Sequence, residues 1–392
     1  MTFLTIPTTF RGLTRKYGRK QIWPRIMHLR KVLHSMTKRR IAFTAVIATA
    51  ALTLTGFAAT SATAAAKGFV GVILPDAASS NRWESADRPF LTKAFKAAGV
   101  TVDIQNANGD KTAFQTIADQ MLTKGAKVLI MVNLDSASAK AVQDKAKAQG
   151  VATIDYDRLT LNGSESYYVS FDNTAVGVLQ GKGIQNCLNA AGKKKARIVY
   201  LNGSPDDNNA TLFKKGYDSV LRPSITSGAY TLVDDTAVPG WDNVKGGTIF
   251  EQQLTKAGGK LDAVVSANEG LGLAAVAVLK KNKLNGKVCV SGQDATVDGL
   301  RAILTGDLSN TVYKAIKAEA NGAAALAVAL LNGKKAATAT GVVNNGTNNV
   351  PSVLLVPVGI TKANVKVVIA DGFQKRADVC KGMEALCKAN GI

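Results

Sequence analysis

From residue 69 onward, short apolar runs alternate with longer stretches of helical periodicity, and this alternation restricts the fold more than any other feature. Several runs, such as 127–133, are apolar throughout, which is typical of strands buried on both faces of a parallel sheet. The pattern predicts an α/β fold with helices flanking the sheets. The predicted strands lie at 69–74, 100–105, 128–133, 152–156, 167–171, 197–201, 230–234, 263–266, 288–291, 311–313 and 352–358. Predicted helices include 114–123, 136–149, 175–191, 271–281 and 315–331.

This number of strands is too large for one doubly wound sheet, so two α/β lobes are expected. The first break between them is predicted near 172–174, where a strand ends in a polar Asp-Asn-Thr cluster. The polar stretch 338–349, rich in Asn and Gly, is predicted to be a loop or a segment that crosses between the lobes.

The first 66 residues have the pattern of a leader. From Met36, a Thr-Lys-Arg-Arg segment precedes an apolar stretch and an Ala-rich end, as in a secretory signal. Cleavage after Ala64 or Ala66 is expected, and the alternative is an uncleaved membrane anchor. Residues 1–35 are basic, so Met36 competes with Met1 as the initiator. The protein is therefore expected to be exported, to the periplasm or the cell surface.

Charge and histidine content exclude several classes of function. The chain carries 49 Lys and Arg against 28 Asp and Glu, but 11 of the basic residues lie within 1–40. Because half of the net charge belongs to the leader, no nucleic-acid partner is expected. Both histidines, His28 and His34, also lie there. Once the leader is removed, Ser-His-Asp and Cys-His catalysis and histidine-ligated zinc are excluded.

Four cysteines leave the disulfide pattern open. They are Cys187, Cys289, Cys380 and Cys387, none in a Cys-x-x-Cys motif. Cys289 lies in an apolar strand pattern and is expected to be a buried thiol. On one helix, Cys380 and Cys387 would be too far apart to bond, so they can pair only if the tail bends. Pairing of Cys187 with a tail cysteine is the other possibility.

Polar residues follow the carboxyl ends of the predicted strands, where open α/β sheets bind ligands. They are Asp76, Asn106, Asn108, Asn133, Asp135, Asp157, Arg158, Asn202, Asn268, Glu269, Gln293, Asp294 and Lys314. Fixed donors and acceptors of this kind suit a neutral polyhydroxyl ligand, because each hydroxyl both donates and accepts. Trp83 and Trp241, both flanked by polar residues, could cover the C–H face of a sugar ring. The alternatives are a surface ion pair for Asp157–Arg158 and core positions for the two tryptophans.

These segments resemble the periplasmic sugar-binding proteins of ABC importers, type I, over about 68–373. The matching motifs are Arg82-Trp83, Tyr156-Asp157-Arg158, Ser170-Phe171-Asp172-Asn173, Gly203-Ser204-Pro205, Asp207-Asn208-Asn209-Ala210, Gly240-Trp241, Ala263-Val264-Val265, Ser291-Gly292-Gln293-Asp294, Thr311-Val312-Tyr313-Lys314 and Asn344-Asn345-Gly346. Two departures are Glu269, where the family often has Asp, and the cysteine-bearing tail.

The resemblance implies two Rossmann-like lobes joined by a hinge of three segments, near 171–174, 313–314 and 344–349. The expected domains are a basic extension with signal peptide (1–66), an N-terminal lobe (67–172 plus 315–345), a C-terminal lobe (173–314 plus 346–373) and a tail (374–392). Sugar contacts are implied at Arg82, Trp83, Arg158, Asn209, Trp241, Asn268, Asp294 and Lys314, with Asp157 and Asn208 as neighbours.

The implied function is that of an exported, monomeric receptor that closes on one monosaccharide and delivers it to a membrane permease. The likeness is closest to members that bind D-xylose, with ribose, glucose or galactose as other ligands and chemotaxis or sensing as another role. No cofactor or metal is expected, since residues 206–209 lack the pattern of a calcium loop and no dinucleotide-binding motif occurs. A glycosidase using Asp157 and Asp294 is disfavoured, because neighbouring cations should lower both pKa values. A transcriptional regulator would need a DNA-binding segment where the signal lies.

Overall fold

The computed structural model describes residues 68–392, so the predicted signal peptide, both histidines and the basic extension lie outside the described residues. Thirteen strands and twelve α-helices follow one another within this range. The strands are β1 Val70–Leu74, β2 Val102–Asn106, β3 Val128–Met131, β4 Ala152–Tyr156, β5 Tyr167–Phe171, β6 Ala196–Asn202, β7 Tyr230–Ala237, β8 Ala263–Ser266, β9 Cys289–Val290, β10 Thr311–Tyr313, β11 Gly341–Asn344, β12 Asn349–Leu355 and β13 Val358–Ile360.

Helices separate most of these strands. They are α1 Arg88–Ala97, α2 Lys111–Thr123, α3 Ser136–Ala148, α4 Asn173–Ala190, α5 Asn208–Thr226, α6 Asn243–Lys256, α7 Glu269–Lys281, α8 Val297–Thr305, α9 Ile316–Leu331, α10 Lys366–Ala370, α11 Arg376–Cys380 and α12 Glu384–Ala389. A π-helical turn, Trp83–Asp87, precedes α1. None of the helices within 68–392 combines the length and apolar character needed to cross a membrane.

The strands form two main sheets, as the alternating pattern predicts. The first has the order β11-β12-β5-β4-β3-β1-β2 and the second β7-β6-β8-β9, with β10 and β13 as a separate antiparallel pair. All pairings in the first sheet are parallel except that of β11 with β12, and all in the second are parallel. β3 is buried at every position, as its continuous apolar run predicts. The α/β class with parallel sheets flanked by helices is confirmed.

The polar stretch at 338–349 corrects one prediction. Instead of a loop or crossing, it contains β11 and the start of β12, which form an antiparallel hairpin. β12 also pairs in parallel with β5 of the first sheet, although 346–373 was expected in the C-terminal lobe. The chain then reaches β13, which pairs with β10 beside the second sheet. The chain therefore leaves the first sheet after Leu355 rather than at 344–349.

Each main sheet has its own apolar core. In the first lobe, side chains of α1 and α9 cover one face of the sheet, and those of α2 and α3 cover the other. In the second lobe, one continuous cluster joins β6 and β8 to α4, α5 and α7. Because the strands are parallel, their carboxyl ends lie along one edge of each sheet, and the loops there carry the polar residues considered below.

The disulfides are Cys187–Cys289 and Cys380–Cys387. The expectation that Cys289 is a free thiol is wrong, as is the pairing of Cys187 with the tail. Cys187 on α4 and Cys289 on β9 have Cα atoms 6.0 Å apart, within bonding range. The tail bends between α11 and α12, which brings the Cα atoms of Cys380 and Cys387 to 5.9 Å.

Candidate functional site

The strand ends and helix starts of both lobes meet around one buried cavity. Nine of the ten predicted site residues line it, namely Arg82, Trp83, Asp157, Arg158, Asn209, Trp241, Asn268, Asp294 and Lys314. Asn208 is the exception: it is the first residue of α5 and does not line the cavity. The other lining residues, not predicted as contacts, are Ser79, Ser80, Asp207, Phe213 and Gln293. Asp157 and Arg158 are buried and are therefore not a surface ion pair. Trp83 and Trp241 line the cavity and also belong to the apolar cores of their lobes.

Arg82 is held by acidic side chains of the first lobe. Its Nε and Nη2 atoms donate to the two carboxylate oxygens of Asp87 at 2.9 and 2.8 Å. Nη2 also donates to Glu319 of α9 at 3.0 Å, and Nη1 donates to Asp157 at 2.8 Å. Bidentate pairing with Asp87 fixes the plane of the guanidinium, so Arg82 is a rigid part of the cavity wall.

Asp157 lies at the centre of the charged groups, directly after β4. In addition to Arg82, it accepts a hydrogen bond from Lys314 Nζ at 3.3 Å and one from Asn209 Nδ2 at 3.0 Å. Burial disfavours the carboxylate, but Lys314, Arg82 and Arg158 outweigh burial and hold the pKa of Asp157 well below its usual range. Asp157 is thus ionised at neutral pH, as the rejection of a general acid at this position requires.

Asp294 does not follow the expectation that neighbouring cations lower its pKa. Lys314 Nζ lies 3.8 Å from its Oδ1 atom, yet burial outweighs the nearby cations and raises the pKa of Asp294. Its Oδ2 atom accepts from Ser80 at 3.1 Å. Its Oδ1 atom and the Oε1 atom of Gln293 are buried, and neither accepts a hydrogen bond within 68–392. Both acceptors in this cavity therefore lack a hydrogen-bond donor among the described residues, which in a buried site costs free energy unless a donor is supplied.

Trp83 and Trp241 approach the cavity from opposite lobes. Trp83 is the first residue of the π-helical turn, and its Nε1 atom donates to Ser79 at 3.2 Å. The guanidinium carbon of Arg82 lies 4.3 Å from the ring centroid of Trp83, within cation–π range. The Trp241 indole packs closely over Gly203, where an added Cβ would lie 2.0 Å from the ring. Any side chain at 203 would displace this indole.

Asp207 links the lobes and orients Trp241. Its Oδ2 atom forms an ion pair with Arg158 Nε at 2.9 Å and accepts from Trp241 Nε1 at 3.1 Å. Its Oδ1 atom caps α5 through the amide of Asn209. The sequence signal for Asp207 was its place in the Asp-Asn-Asn motif, but helix capping accounts for an Asp there equally well, so the motif alone does not reveal its contact with the cavity.

The side chains of the cavity suit an organic ligand rather than a metal ion. Within 68–392, no group of three or more His, Cys, Asp or Glu side chains is placed to hold a metal ion. The carboxylates at the cavity are instead bonded to Arg, Lys and Asn. The arrangement offers fixed donors and acceptors together with aromatic surface, a combination that binds polyhydroxyl compounds and provides no nucleophile–base pair.

Comparisons with known proteins identify the family of the chain. Residues 70–335 match the family of periplasmic binding protein domains. The D-xylose-binding periplasmic protein of Escherichia coli (strain K12) is 36% identical over 299 residues, which are 76% of this chain and 88% of the relative. The chain belongs to this family of sugar-binding periplasmic proteins of ABC transporters, which are substrate-binding proteins and not enzymes.

Two further proteins show the range of ligands among similar chains. The multiple sugar-binding periplasmic receptor ChvE of Rhizobium radiobacter is 34% identical over 336 residues, 81% of this chain and 94% of the relative. An ABC transporter solute-binding protein from Clostridium phytofermentans, solved with bound β-D-glucose, superimposes with a TM-score of 0.72 at 28% identity. That match covers 79% of this chain and 99% of the solved chain.

Proposed function

We propose that the protein binds a monosaccharide, D-xylose before others, in the cavity between its lobes and delivers it to the membrane permease of an ABC importer. The ligand assignment rests on two buried acceptors that lack a hydrogen-bond donor among the described residues, Asp294 Oδ1 and Gln293 Oε1. Sugar hydroxyls would donate to both, and a buried acceptor gains most from such a partner. D-xylose is favoured because the E. coli relative, which bears its name, aligns over most of both chains.

The remaining cavity residues complete a site for a ring with hydroxyls around its edge. Arg158 and Lys314 would donate to hydroxyl oxygens, as would Asn209 and Asn268. The ion pair of Arg82 with Asp157 would hold both charged groups in place on the first-lobe side of the cavity. Trp83 and Trp241 would lie against the two faces of the ring, where C–H groups pack on indole. Asn208, which lies outside the cavity wall, would act through the start of α5.

Transport requires export and closure. We infer that residues 36–66 direct export, and sequencing of the mature N-terminus is expected to begin at Ala65 or Lys67. Mature protein that retains Met1 or Met36 and stays in the cytoplasm would contradict export. We further infer a monomer with crossings at 171–174, at 313–314 and between β12 and β13, about which the lobes close on the sugar.

Calorimetric titration with D-xylose, D-ribose, D-glucose and D-galactose tests the ligand. We expect D-xylose to bind most tightly. The solved glucose complex of a similar protein makes D-glucose the second candidate. If D-glucose binds most tightly, the sugar site stands but D-glucose replaces D-xylose as its assigned ligand. If no aldose binds, the proposal is contradicted.

Tryptophan fluorescence tests the placement of the sugar. Trp83 and Trp241 are the only tryptophans beyond residue 67, and both line the cavity. D-xylose should therefore change the emission of the mature protein strongly. Trp241→Phe should reduce both this change and the affinity, whereas Tyr230→Phe, on β7 away from the cavity, should leave both unaltered. An unchanged signal in Trp241→Phe would show that the sugar does not stack on this indole.

A further inference from the structure

Glu269 is a buried carboxyl group beside the cavity that does not line it. It is the first residue of α7 and is 1% exposed. Its Oε1 atom accepts from the amide of Ala295 at 2.9 Å and from Thr311 Oγ1 at 2.5 Å. Its Oε2 atom accepts from the amide of Thr296 at 2.8 Å and from Thr296 Oγ1 at 2.5 Å. Each carboxyl oxygen thus holds one backbone amide of the segment that follows Asp294.

That segment has an unusual backbone. Asp294 has φ 121° and Ala295 has φ 55°, both in the region that side chains other than glycine rarely occupy. Such residues persist where surrounding contacts enforce the conformation. Glu269 supplies two of these contacts, the amide of Asp294 donates to Val312 at 2.9 Å, and Gln374 of the tail donates to the carbonyl of Ala295 at 3.1 Å.

The neighbouring helix leaves space for a side chain of this length. A Cβ atom at Gly299, in the first turn of α8, would lie 2.0 Å from Glu269 Cδ. The carboxyl group therefore occupies volume that any other residue at 299 would fill. Glu269 reaches the 293–296 segment only because this position is glycine.

We propose that Glu269 is a positioning residue that holds the 293–296 segment so that the Asp294 carboxylate faces the sugar. Glu269 thereby sets the selectivity for the sugar hydroxyl that donates a hydrogen bond to Asp294. This inference rests on the proposed sugar site and extends it. Glu269 acts through the backbone of the segment, without touching the ligand. Asp294 presents its unpaired Oδ1 atom in the cavity as a result.

Glu269→Gln tests this with almost no change of shape. A carboxyl group can accept an amide hydrogen with either oxygen, whether it is ionised or protonated. In glutamine, one oxygen becomes an NH₂ group that cannot accept, so either orientation of the amide leaves Ala295 or Thr296 without its acceptor. Glu251→Gln is the matched control, because Glu251 is exposed on α6 of the same lobe. Thr311→Val is a second, milder variant that removes one donor to Glu269 and keeps the carboxyl group.

The decisive measurement is selectivity. D-xylose and its monodeoxy analogues are titrated into wild type, Asp294→Ala and Glu269→Gln. Because alanine leaves no acceptor at this position, Asp294→Ala identifies the hydroxyl that donates to Asp294 as the one whose removal no longer weakens binding. Glu269→Gln should reduce discrimination at that same hydroxyl by roughly 2- to 10-fold, as expected for one hydrogen bond, and Thr311→Val by less. Discrimination should stay at the wild-type level for the other hydroxyls and in Glu251→Gln. Unchanged discrimination, or an equal loss at every hydroxyl, would overturn the positioning role.

Amide hydrogen exchange separates this inference from the proposed function, because it needs no ligand. Exchange at Ala295 or Thr296 should quicken at least several-fold in Glu269→Gln and stay at the wild-type rate in Glu251→Gln. If the wild type binds none of the aldoses, the sugar site fails while the exchange result still decides whether Glu269 holds the segment. Unchanged exchange at both amides in a folded Glu269→Gln protein would overturn the inference whatever the ligand.

Discussion

Asp294 and Asn268 follow adjacent strands of the second lobe, and their contacts differ. Asn268 caps α7 through the amide of Leu271 and donates to Ser79 across the cleft at 3.3 Å. Asp294 caps no helix. We expect Asp294→Ala to lose roughly 10- to 100-fold in affinity for D-xylose, because hydrogen bonds to a charged acceptor contribute about 1.5–3 kcal/mol. Asn268→Ala should lose less affinity and about 1 kcal/mol of unfolding free energy through the lost cap.

Stability distinguishes the two variants further. Burial raises the pKa of Asp294, which means that folding disfavours its carboxylate, so Asp294→Ala should lose less unfolding free energy than Asn268→Ala. Calorimetric titration and urea denaturation of both variants measure the two effects. Equal losses of affinity, or an Asp294→Ala protein that does not fold, would make Asp294 a structural residue and not a ligand contact.

Glu269 should make stability depend on pH. Burial and the neighbouring Asp294 raise its pKa from 4.5 to about 8. The folded protein therefore retains a proton between these values that the unfolded chain releases, so this residue reduces stability as pH rises from about 4.5 to 8. The slope is at most about 1.4 kcal/mol per pH unit. Urea denaturation of Glu269→Gln at pH 5 and pH 8.5 should show a smaller decrease than wild type, and parallel pH dependences would contradict the shifted pKa.

At this scale the sequence predicts residue types better than their environments. Polar residues at strand ends mark the cavity because parallel strands bring those ends together, and nine of the ten chosen positions line it. The prediction that the pKa of Asp294 is lowered is wrong, because the effect of burial exceeds that of the Lys314 charge 3.8 Å away, and a sequence does not show how deeply a residue is buried. The sequence marks Glu269 only as one of the polar residues at strand ends and as a departure from the family, because its four contacts come from residues 26 to 42 positions away along the chain.

At the scale of elements, the two disulfides should differ in their effect on stability. Cys187–Cys289 spans 102 residues and ties α4 to β9, whereas Cys380–Cys387 spans 7 residues within the tail. Because closing a longer loop removes more entropy from the unfolded chain, losing the first bond should cost roughly 5 kcal/mol and losing the second roughly 2–3. Urea denaturation of the double variants Cys187→Ser/Cys289→Ser and Cys380→Ser/Cys387→Ser measures this difference.

The tail has other anchors that should keep it in place. Arg301 of α8 donates to the carbonyls of Val379 and Lys381 at 3.0 and 2.8 Å. Cys380→Ser/Cys387→Ser should therefore loosen only the tail, with faster amide exchange confined to residues beyond about 375. An equal or larger loss of stability than in the Cys187→Ser/Cys289→Ser variant would contradict the loop-entropy account.

Strand–helix units were predictable from the sequence because their signals are local. Continuous apolar runs such as β3 need no partner to be recognised. The β11–β12 hairpin was missed because its Asn-rich sequence has the composition of a loop, and its place is set by pairing with β5, nearly 200 residues earlier. The Cys187–Cys289 disulfide was missed for the same reason, because these two residues meet only once the second lobe has folded.

For the whole molecule, the contacts across the cleft connect ligand binding to closure. Arg158 of the first lobe pairs with Asp207 of the second at 2.9 Å, and Ser80 donates to Asp294 at 3.1 Å. A sugar that touches both lobes favours the closed arrangement only through its greater affinity for that arrangement. Substitutions at contacts between the lobes that lie outside the cavity should therefore change the affinity for the sugar, although these residues do not touch it.

Asn243 is such a contact. Its Nδ2 atom donates to the carbonyl of Ala78 in the first lobe at 3.3 Å, and it does not line the cavity. It is the first residue of α6, whose cap is Asp242, so alanine there keeps the helix. Asn243→Ala should weaken D-xylose binding by roughly 2- to 10-fold, the equivalent of one neutral hydrogen bond, mainly through faster dissociation from a less stable closed form.

Asn285→Ala is the matched control. Asn285 donates to Asp307 at 3.2 Å within the second lobe, so this substitution removes a comparable bond that closure does not involve. Stopped-flow fluorescence should show a wild-type dissociation rate for Asn285→Ala and a faster one for Asn243→Ala, with the same selectivity among aldoses in both. Selectivity is the critical comparison, because a weaker closed form reduces the affinity for every sugar by the same factor. A changed order of preference in Asn243→Ala would mean that this residue acts on the ligand site itself, and an unchanged dissociation rate would mean that its contact with Ala78 does not stabilise the closed form.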